Sequence, residues 1–258
     1  MSTALVTGAT AGIGHAFCRE LAERGHDLVI VARNRSRLEN VSDELRSRHH
    51  INVEILAADL SKRAALRRVA DRLADRDRPI DLLVNNAGFG MSKSFLKGDL
   101  ADEEAMLDVL CRAVLVLSHA GALSMKDRGR GAIINVSSVA SFVPMGTYAA
   151  AKAWCTAFTE ALAQELVGSG VTATALCPGF THTEMHERAN LDMSRLPDAL
   201  WLEADRLVRD CLDDVRAGKV VSIPGVQYKL IAGIAQVAPR GLVRALSGRA
   251  ASVRRRQG

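Results

Sequence analysis

The stretch TALVTGATAGIGHAF, residues 3–17, decides the fold of this chain. Its first half is an apolar, β-branched run that predicts a buried strand, and its second half has helical spacing. Between them lie Gly8, Gly12 and Gly14, in the spacing G-x-x-x-G-x-G. Glycines at such a junction allow a tight turn and the approach of a diphosphate to the free N–H groups of the helix N-terminus. The stretch therefore predicts either a dinucleotide-binding turn or a purely structural glycine turn.

The rest of the chain repeats this alternation of short apolar runs and longer helical segments. Several apolar runs have no polar face, which is typical of parallel strands covered by helices on both sides. The pattern predicts the α/β fold class, with a doubly wound, Rossmann-type parallel sheet of about seven strands and helices on both faces. The predicted strands are 4–8, 27–33, 52–59, 81–88, 132–138, 171–179 and 219–225. The predicted helices are 12–24, one that follows Arg33 and ends near His50, 62–75, 102–127, 147–166 and 198–216.

The domain organisation follows from the absence of a linker rich in Gly, Ser or Pro, so residues 1–258 are predicted to form a single domain. Residues 180–200 are polar and aperiodic, and a long loop over a ligand crevice is commonly a lid. Residues 226–258 form an apolar and then basic C-terminal extension. We interpret this extension as a pocket cover or an oligomer contact, with an amphipathic helix on a membrane surface as the alternative.

Composition and charge restrict the class of protein. Hydrophobic residues make up 48% of the 258 residues, enough for a large core, and the formal charge is +5. The arginine-rich end of the chain is interpreted as a solvated tail, with attraction to an anionic membrane or nucleic acid as the alternative. Of these partners we expect no nucleic acid. No run reaches the ~18 uncharged apolar residues of a membrane span, and the first apolar run is too short for a signal peptide.

The five cysteines are widely scattered and form no CxxC pair, and the histidines show no ligand spacing either. We therefore expect no metal site. Cysteines without a disulfide pattern favour a reducing compartment, so a cytoplasmic location is expected.

Arg33 ends the second predicted strand, about 20 residues after the glycines, where NAD-binding folds place an acid for the ribose 2′-hydroxyl. An acid would repel a 2′-phosphate, whereas an arginine attracts it and can bind it with two hydrogen bonds. Arg33 therefore indicates NADP(H) rather than NAD(H), with Arg37 or Asn34 as helpers. The alternative is that Arg33 only begins an exposed helix.

Tyr148 and Lys152 are four residues apart in a predicted helix, so the phenol and the ammonium lie on one face. A free tyrosine has a pKa of about 10 and is a poor acid near neutral pH. A cation nearby favours the ionised form of a phenol, which makes the pair usable for proton transfer. The same spacing also arises by chance in many helices, so the pair gains weight only from the other motifs.

Three more polar or small-residue elements end predicted strands, and the carboxyl ends of parallel strands meet at one edge. Asp59-Leu60 ends the third strand, where an acid can bind an adenine amino group. Residues 85–88 (NNAG) end the fourth, and Ser137-Ser138 ends the fifth. All three are predicted to border the crevice.

This ordered set of motifs resembles the short-chain dehydrogenases/reductases in their compact single-domain form. The resemblance covers roughly residues 3–183 and is carried by TGATAGIG (7–14), the Asp-Leu pair (59–60), NNAG (85–88), the serine after the fifth strand, YAAAK (148–152) and PGFTHT (178–183). It implies that Tyr148 protonates the carbonyl oxygen, that Lys152 makes this phenol more acidic and binds the nicotinamide ribose, and that Ser138 holds the carbonyl oxygen. Ser137 is the less favoured choice for the last role.

The resemblance also implies a set of cofactor contacts on the matching motifs. They are Thr7, Gly8, Thr10, Gly12, Ile13, Gly14, Arg33, Asp59, Leu60, Asn86, Ala87, Gly88, Tyr148, Lys152, Pro178, Gly179, Thr181 and Thr183.

Two features depart from the family pattern. Only nine residues separate Ser138 from Tyr148, fewer than is usual. The family commonly has an asparagine in the long fourth helix that holds a water for proton relay, and the matching position here is Leu110. Because leucine cannot hydrogen-bond, we expect a slower relay, maintained by the backbone carbonyl if the helix keeps its local distortion.

The sequence thus predicts an NADP(H)-dependent oxidoreductase that reduces a hydrophobic ketone or aldehyde, or oxidises the alcohol. The alternative is a catalytically impaired NADP-binding scaffold or sensor. The resemblance suggests a homodimer or homotetramer. The candidate pocket walls are Phe142, Met145, Met185 and Trp201, with a core position as the alternative for Trp201. The lid histidines His182 and His186 are either exposed or substrate contacts.

Overall fold

The computed structural model describes residues 2–91, 93–182, 197, 200–239, 241 and 244. These residues contain a seven-stranded sheet in the order β3-β2-β1-β4-β5-β6-β7, with all neighbours parallel. The strands are β1 (Thr3–Thr7), β2 (Asp27–Ala32), β3 (Val53–Ala57), β4 (Leu82–Asn85), β5 (Gly131–Val136), β6 (Val171–Leu176) and β7 (Val221–Ser222). The predicted doubly wound sheet is confirmed, although each predicted strand runs past the carboxyl end of the observed one.

Helices alternate with these strands. They are α1 (Gly12–Glu23), α2 (Arg35–His49), α3 (Arg63–Ala74), α4 (Leu100–Leu107), α5 (Val114–Arg128), α6 (Gly146–Glu165), α7 (Ala204–Arg216) and α8 (Val226–Val237), with a short 3-10 helix at Val139–Phe142. The predicted start of a helix at residue 198 is wrong, because α7 begins at Ala204. Leu202 instead forms a parallel bridge with Thr181, and a residue in that extended pairing cannot belong to a helix.

The two faces of the sheet are covered by different helices. Because successive strand residues point to opposite faces, Leu28 and Ile30 of β2 join a cluster with α1, α2 and α7. Val29 and Val31 join a second cluster with α3 and α5. All four side chains are at most 1% exposed, and burying each contributes about 1.5–3 kcal/mol. This explains why the sequence of β2 has no polar face.

α4 and α5 form one long helix, Leu100–Arg128, interrupted by a π-helical segment, Asp108–Ala113. By length and mean hydropathy this helix could cross a membrane, but half of its most apolar window is buried inside the protein, as in the core helix of a globular domain. π-Helical segments inside α-helices occur frequently at functional sites. The local distortion expected around Leu110 is therefore present.

The C-terminal extension begins with α8, which buries only Tyr228 and Ala232. Its other large apolar side chains are exposed, and they are Val226, Leu230, Ile231, Ile234 and Val237. An apolar face is therefore exposed in the part of the extension that the structure describes, and both the expected oligomer contact and the alternative membrane-surface helix would need such a face. Most of the basic residues of this extension lie outside the described residues.

Candidate active site

The glycine turn after β1 is closely packed against residues that follow β4. Gly8 has a φ of 70°, in the left-handed region that favours glycine. A Cβ atom on Gly14 would lie 2.2 Å from the Gly8 carbonyl oxygen and 2.4 Å from Asn86 Nδ2, which leaves no room for a side chain. Ala11 precedes α1 and has no side-chain acceptor, so the first N–H groups of α1 remain available for an anion.

Thr7 joins this turn to the NNAG segment. Its hydroxyl accepts hydrogen bonds from the backbone N–H groups of Asn86 and Ala87, both at 3.0 Å, and donates to the Val84 carbonyl at 3.3 Å. Asn86 Nδ2 in turn donates to the Thr7 carbonyl at 2.9 Å. Thr7 and Asn86 therefore fix the ends of β1 and β4 relative to each other.

A cavity of about 740 Å³ lies along the carboxyl edge of the sheet. This volume is in the range of small-molecule and cofactor sites. The predicted site residues that line it are Gly8, Thr10, Gly12, Ile13, Arg33, Asp59, Leu60, Asn86, Ala87, Gly88, Ser138, Tyr148, Lys152, Pro178, Gly179 and Thr181. Thr7 and Gly14 are not among the residues that line it, and Thr183 lies outside the described residues.

The end of the cavity at β2 and β3 is polar. Arg33, Asn34 and Arg37 line it opposite Asp59. The Asp59 carboxylate accepts hydrogen bonds from the N–H and hydroxyl of Ser61, at 3.0 and 2.8 Å. Partial burial opposes ionisation of Asp59, but these hydrogen bonds and the charge of Arg33 outweigh it, so the pKa of Asp59 is held below its usual value.

The Tyr–Lys pair lies at the other end. Lys152 Nζ is 5.7 Å from the centroid of the Tyr148 ring, and both residues line the cavity. The Lys152 side chain is buried, and its ammonium donates to the Val136 carbonyl at 2.7 Å. The helix α6 thus brings a cation and a phenol to one point, as the four-residue spacing predicts.

The two serines after β5 have different environments. Ser137 is 2% exposed, and its hydroxyl bonds to the Lys152 carbonyl at 2.8 Å and to Thr156 Oγ1 at 2.7 Å. Ser138 is half-buried on the cavity wall, where its hydroxyl accepts the Ala140 N–H at 3.1 Å and caps the 3-10 helix. The Ser138 hydroxyl is therefore the better placed of the two to bind a substrate oxygen.

Leu110 stands at the position that matches the asparagine of the family pattern, and here it is a packing residue. It is 1% exposed and clusters with Met106 and Ala151, against the partly buried Tyr148. Its Cδ2 atom lies 2.7 Å from the position of a Cβ on Gly88, so the leucine fills the space beside the NNAG segment. No side-chain hydrogen bond can form at this point.

The residues predicted as pocket walls differ in their position relative to the cavity. Trp201 stacks on His182, with ring centroids 4.4 Å apart, and tilts against Phe180. Gly179 and Thr181 line the cavity, whereas Phe180, His182 and Trp201 are not among its lining residues. Phe142 and Met145 are half-buried and do not line the cavity, and Met185 and His186 lie outside the described residues.

Sequence reasoning missed two residues that hold this edge of the sheet together, Arg112 and Tyr228. Arg112 pairs with Asp108 across the π segment at 2.7 Å and donates to the Ser61 carbonyl at 2.8 Å. The i,i+4 spacing of the charged pair was a usable signal. Tyr228 packs on Gly179, a contact between distant parts of the chain that no local pattern indicates.

A parallel sheet with a glycine turn, a dinucleotide-sized cavity and a Tyr–Lys pair at its carboxyl edge defines an oxidoreductase of the Rossmann type. The sequence matches the family model described as short chain dehydrogenase over residues 2–194. The chain therefore belongs to the short-chain dehydrogenase family.

Similar proteins agree with this membership. A short-chain dehydrogenase from Sphingobium yanoikuyae in complex with NADPH is 34% identical, with a TM-score of 0.84 over 92% of this chain and 94% of that chain. The bulky-bulky ketone specific alcohol dehydrogenase from Comamonas testosteroni is 29% identical, with a TM-score of 0.79 over 93% and 96%. Sulfoacetaldehyde reductase 2 of Chromohalobacter salexigens is 35% identical over 185 residues, which cover 70% of this chain and 73% of that protein.

Proposed function

We propose that this protein is an NADP(H)-dependent carbonyl reductase, or alcohol dehydrogenase in the reverse direction, acting on a hydrophobic ketone or aldehyde. The observation that carries the proposal is the placement of Ser138, Tyr148 and Lys152 at one end of the cavity. The apolar residues Phe89, Ala105 and Val109 also line the cavity, and Tyr148 packs against the buried Met106 and Leu110. An apolar substrate fits such surroundings. When bound, the substrate would exclude water from the reacting atoms.

Each polar residue has a role in the proposed reduction. The hydroxyl groups of Ser138 and Tyr148 hold the carbonyl oxygen, and a bound NADPH supplies the hydride. Negative charge then develops on this oxygen, where two hydroxyl donors and the Lys152 ammonium stabilise it. Tyr148 completes the reduction by donating its proton to the oxygen.

NADP(H) is proposed because of the charges at the far end of the cavity. Arg33 lines this end and Arg37 lies beside it, so a 2′-phosphate would meet guanidinium groups there. Asp59 is proposed to bind the adenine, and the uncapped N-terminus of α1 the diphosphate. Thr183 stays a proposed contact to the nicotinamide carboxamide. The Sphingobium relative, described in complex with NADPH, supports the same choice.

The location, the assembly and the domain organisation of the protein are also proposed. All five cysteines are free, which fits a cytoplasmic location. The exposed apolar face of α8 fits a homodimer or homotetramer, which light scattering would measure. We also propose that residues 1–258 form a single domain.

A scaffold or sensor without turnover is the second candidate function, and the leucine at position 110 is what favours it.

A binding assay followed by a turnover assay separates these functions. If NADPH binds, a concentration of about 100 times its Kd stabilises the protein by about 2.7 kcal/mol and raises the melting temperature by about 5–10 °C. We expect a smaller shift from NADH at the same concentration, and NADPH oxidation with apolar ketones or aldehydes. Binding without turnover of any member of a broad carbonyl panel would favour the scaffold, and an equal shift from NADH would contradict the cofactor choice.

A further inference from the structure

Tyr228 lies on α8, beyond the residues 2–194 that match the family model. Its side chain is 2% exposed although most of its helix is exposed. A Cβ atom on Gly179 would lie only 2.0 Å from a carbon of the Tyr228 ring. The ring therefore packs directly on the glycine backbone, in a space that a larger residue at position 179 would fill.

The Tyr228 hydroxyl joins two backbone segments. It accepts the Phe180 N–H at 3.0 Å and donates to the Leu200 carbonyl at 2.5 Å. A phenol has one proton to donate, so this hydroxyl uses both its donor and its acceptor function. Burial raises the pKa of Tyr228, which keeps the hydroxyl protonated and able to donate.

The two segments that Tyr228 joins also pair with each other. Thr181 and Leu202 form a parallel bridge, in which the Leu202 N–H donates to the Phe180 carbonyl at 2.8 Å. The His182 N–H donates to the Leu202 carbonyl at 3.2 Å. Tyr228 thus lies at one end of a small two-segment pairing whose first segment follows β6.

This pairing forms part of the cavity wall. Pro178, Gly179 and Thr181 line the cavity, and Tyr228 contacts Gly179 from behind. α8 also packs on the 3-10 helix Val139–Phe142, which follows Ser138 directly. The helix that bears Tyr228 therefore contacts the loops after both β5 and β6, on either side of the end of the cavity that holds Tyr148.

We infer that Tyr228 is a positioning residue for the active site, which fixes the wall formed by Pro178, Gly179 and Thr181 against the bound cofactor. The inference rests on the proposed function for its effect on turnover. Its effect on cofactor binding and on the backbone at Phe180 does not depend on any carbonyl being reduced. The C-terminal helix α8 is thereby part of the site and not only a surface element.

The test uses the full chain with Tyr228→Phe, which keeps the ring and removes only the hydroxyl. Its matched control is Ile234→Ala, on the exposed face of the same helix. Four quantities are measured for both variants: the Kd for NADPH, kcat, the KM for NADPH, and the rate of hydrogen exchange at the Phe180 amide. A second variant, Gly179→Ala, disturbs the same contact by placing a methyl group where the Tyr228 ring lies.

We expect Tyr228→Phe to raise the Kd and KM for NADPH about tenfold, the effect of losing roughly one hydrogen-bonded anchor. Exchange at the Phe180 amide accelerates, and Gly179→Ala weakens NADPH binding in the same direction. Ile234→Ala leaves all four quantities unchanged. A lower melting temperature in Tyr228→Phe with an unchanged Kd for NADPH would show a purely structural role and overturn the inference. If no carbonyl is turned over by the wild type, the proposed function fails while the Kd and the exchange rates still decide the role of Tyr228.

Discussion

Ser137 donates a hydrogen bond of 2.8 Å to the backbone carbonyl oxygen of Lys152. The ammonium of Lys152 donates to the carbonyl of Val136, at 2.7 Å. Both ends of the lysine are thus held by Val136, the last residue of β5, and by Ser137, which follows it, and the next residue along the chain is Ser138. This arrangement fixes the proposed oxygen-binding hydroxyl relative to the cation that would stabilise negative charge.

Ser137→Ala is predicted to lower kcat about tenfold with little change in the KM for NADPH. The reason is that one hydrogen bond, worth about 1 kcal/mol or somewhat more, no longer holds the backbone of Lys152. Steady-state kinetics with a reducible carbonyl measure both constants. Ser169→Ala is the matched control, because Ser169 donates to the Leu166 carbonyl beyond the far end of α6. An equal fall in kcat in the two variants would contradict a specific role of Ser137.

Leu110→Asn is predicted to lower the free energy of unfolding and to raise kcat. The asparagine buries a polar amide beside Met106 and Ala151, which costs about 1–3 kcal/mol if the amide is poorly paired. It also restores a hydrogen-bonding group at the relay position, so we expect kcat to rise by up to about tenfold. Denaturant unfolding and kcat are measured together. Leu110→Ala serves as the control, since it loses packing without gaining a polar group, and a rate gain in that variant would speak against a proton relay.

Arg33→Ala is predicted to lower kcat/KM for NADPH by about 10–100-fold, because a charge-assisted contact to the 2′-phosphate is lost. The same constant for NADH should change little. Arg35→Ala is the control at the start of α2, where Arg35 pairs with Glu39 and does not line the cavity. Equal effects of Arg33→Ala on both cofactors would contradict NADP(H) specificity.

Alkaline pH is predicted to destabilise the fold through its buried thiols. Burial raises the pKa of Cys177 to about 11 and that of Cys211 to about 12, against about 8.5 in an unfolded chain. The folded state then binds more protons than the unfolded state, so stability is full below about pH 8.5 and falls as the pH rises to 11 and beyond. Melting temperatures across this range should fall less steeply in a double variant with Cys177→Ala and Cys211→Ala. Parallel curves for the two proteins would disprove the linkage.

Much of the fold was predictable because its signals are local. The apolar runs of β1 and β2 and the glycine turn between β1 and α1 each follow from neighbouring residues. The predicted strands run past the carboxyl ends of the observed ones, because several of the cavity-lining residues that follow the strands are also apolar or small. The predicted helix start at residue 198 is wrong for a non-local reason. Leu202 pairs with Thr181, which is distant in the sequence, so neighbouring residues do not reveal the pairing.

The site was predictable at the level of motifs but not of contacts. The pair of serines after β5 indicated a hydroxyl at the cavity. Which of the two is buried depends on α6, because Ser137 bonds to Lys152 and Thr156 of that helix. Tyr228 had no signal at all, because its contacts to Gly179 and Leu200 arise only when α8 folds back over the loop after β6.

The most direct test of the central claim is NADPH oxidation by Tyr148→Phe in the presence of a carbonyl that the wild type reduces. Phenylalanine keeps the ring but has no proton to donate, so we predict a fall in kcat of at least about 10²-fold. The rise in melting temperature caused by NADPH should be preserved, which shows that the cofactor site is intact. NADPH oxidation at the wild-type rate would contradict the assignment of Tyr148 as the proton donor.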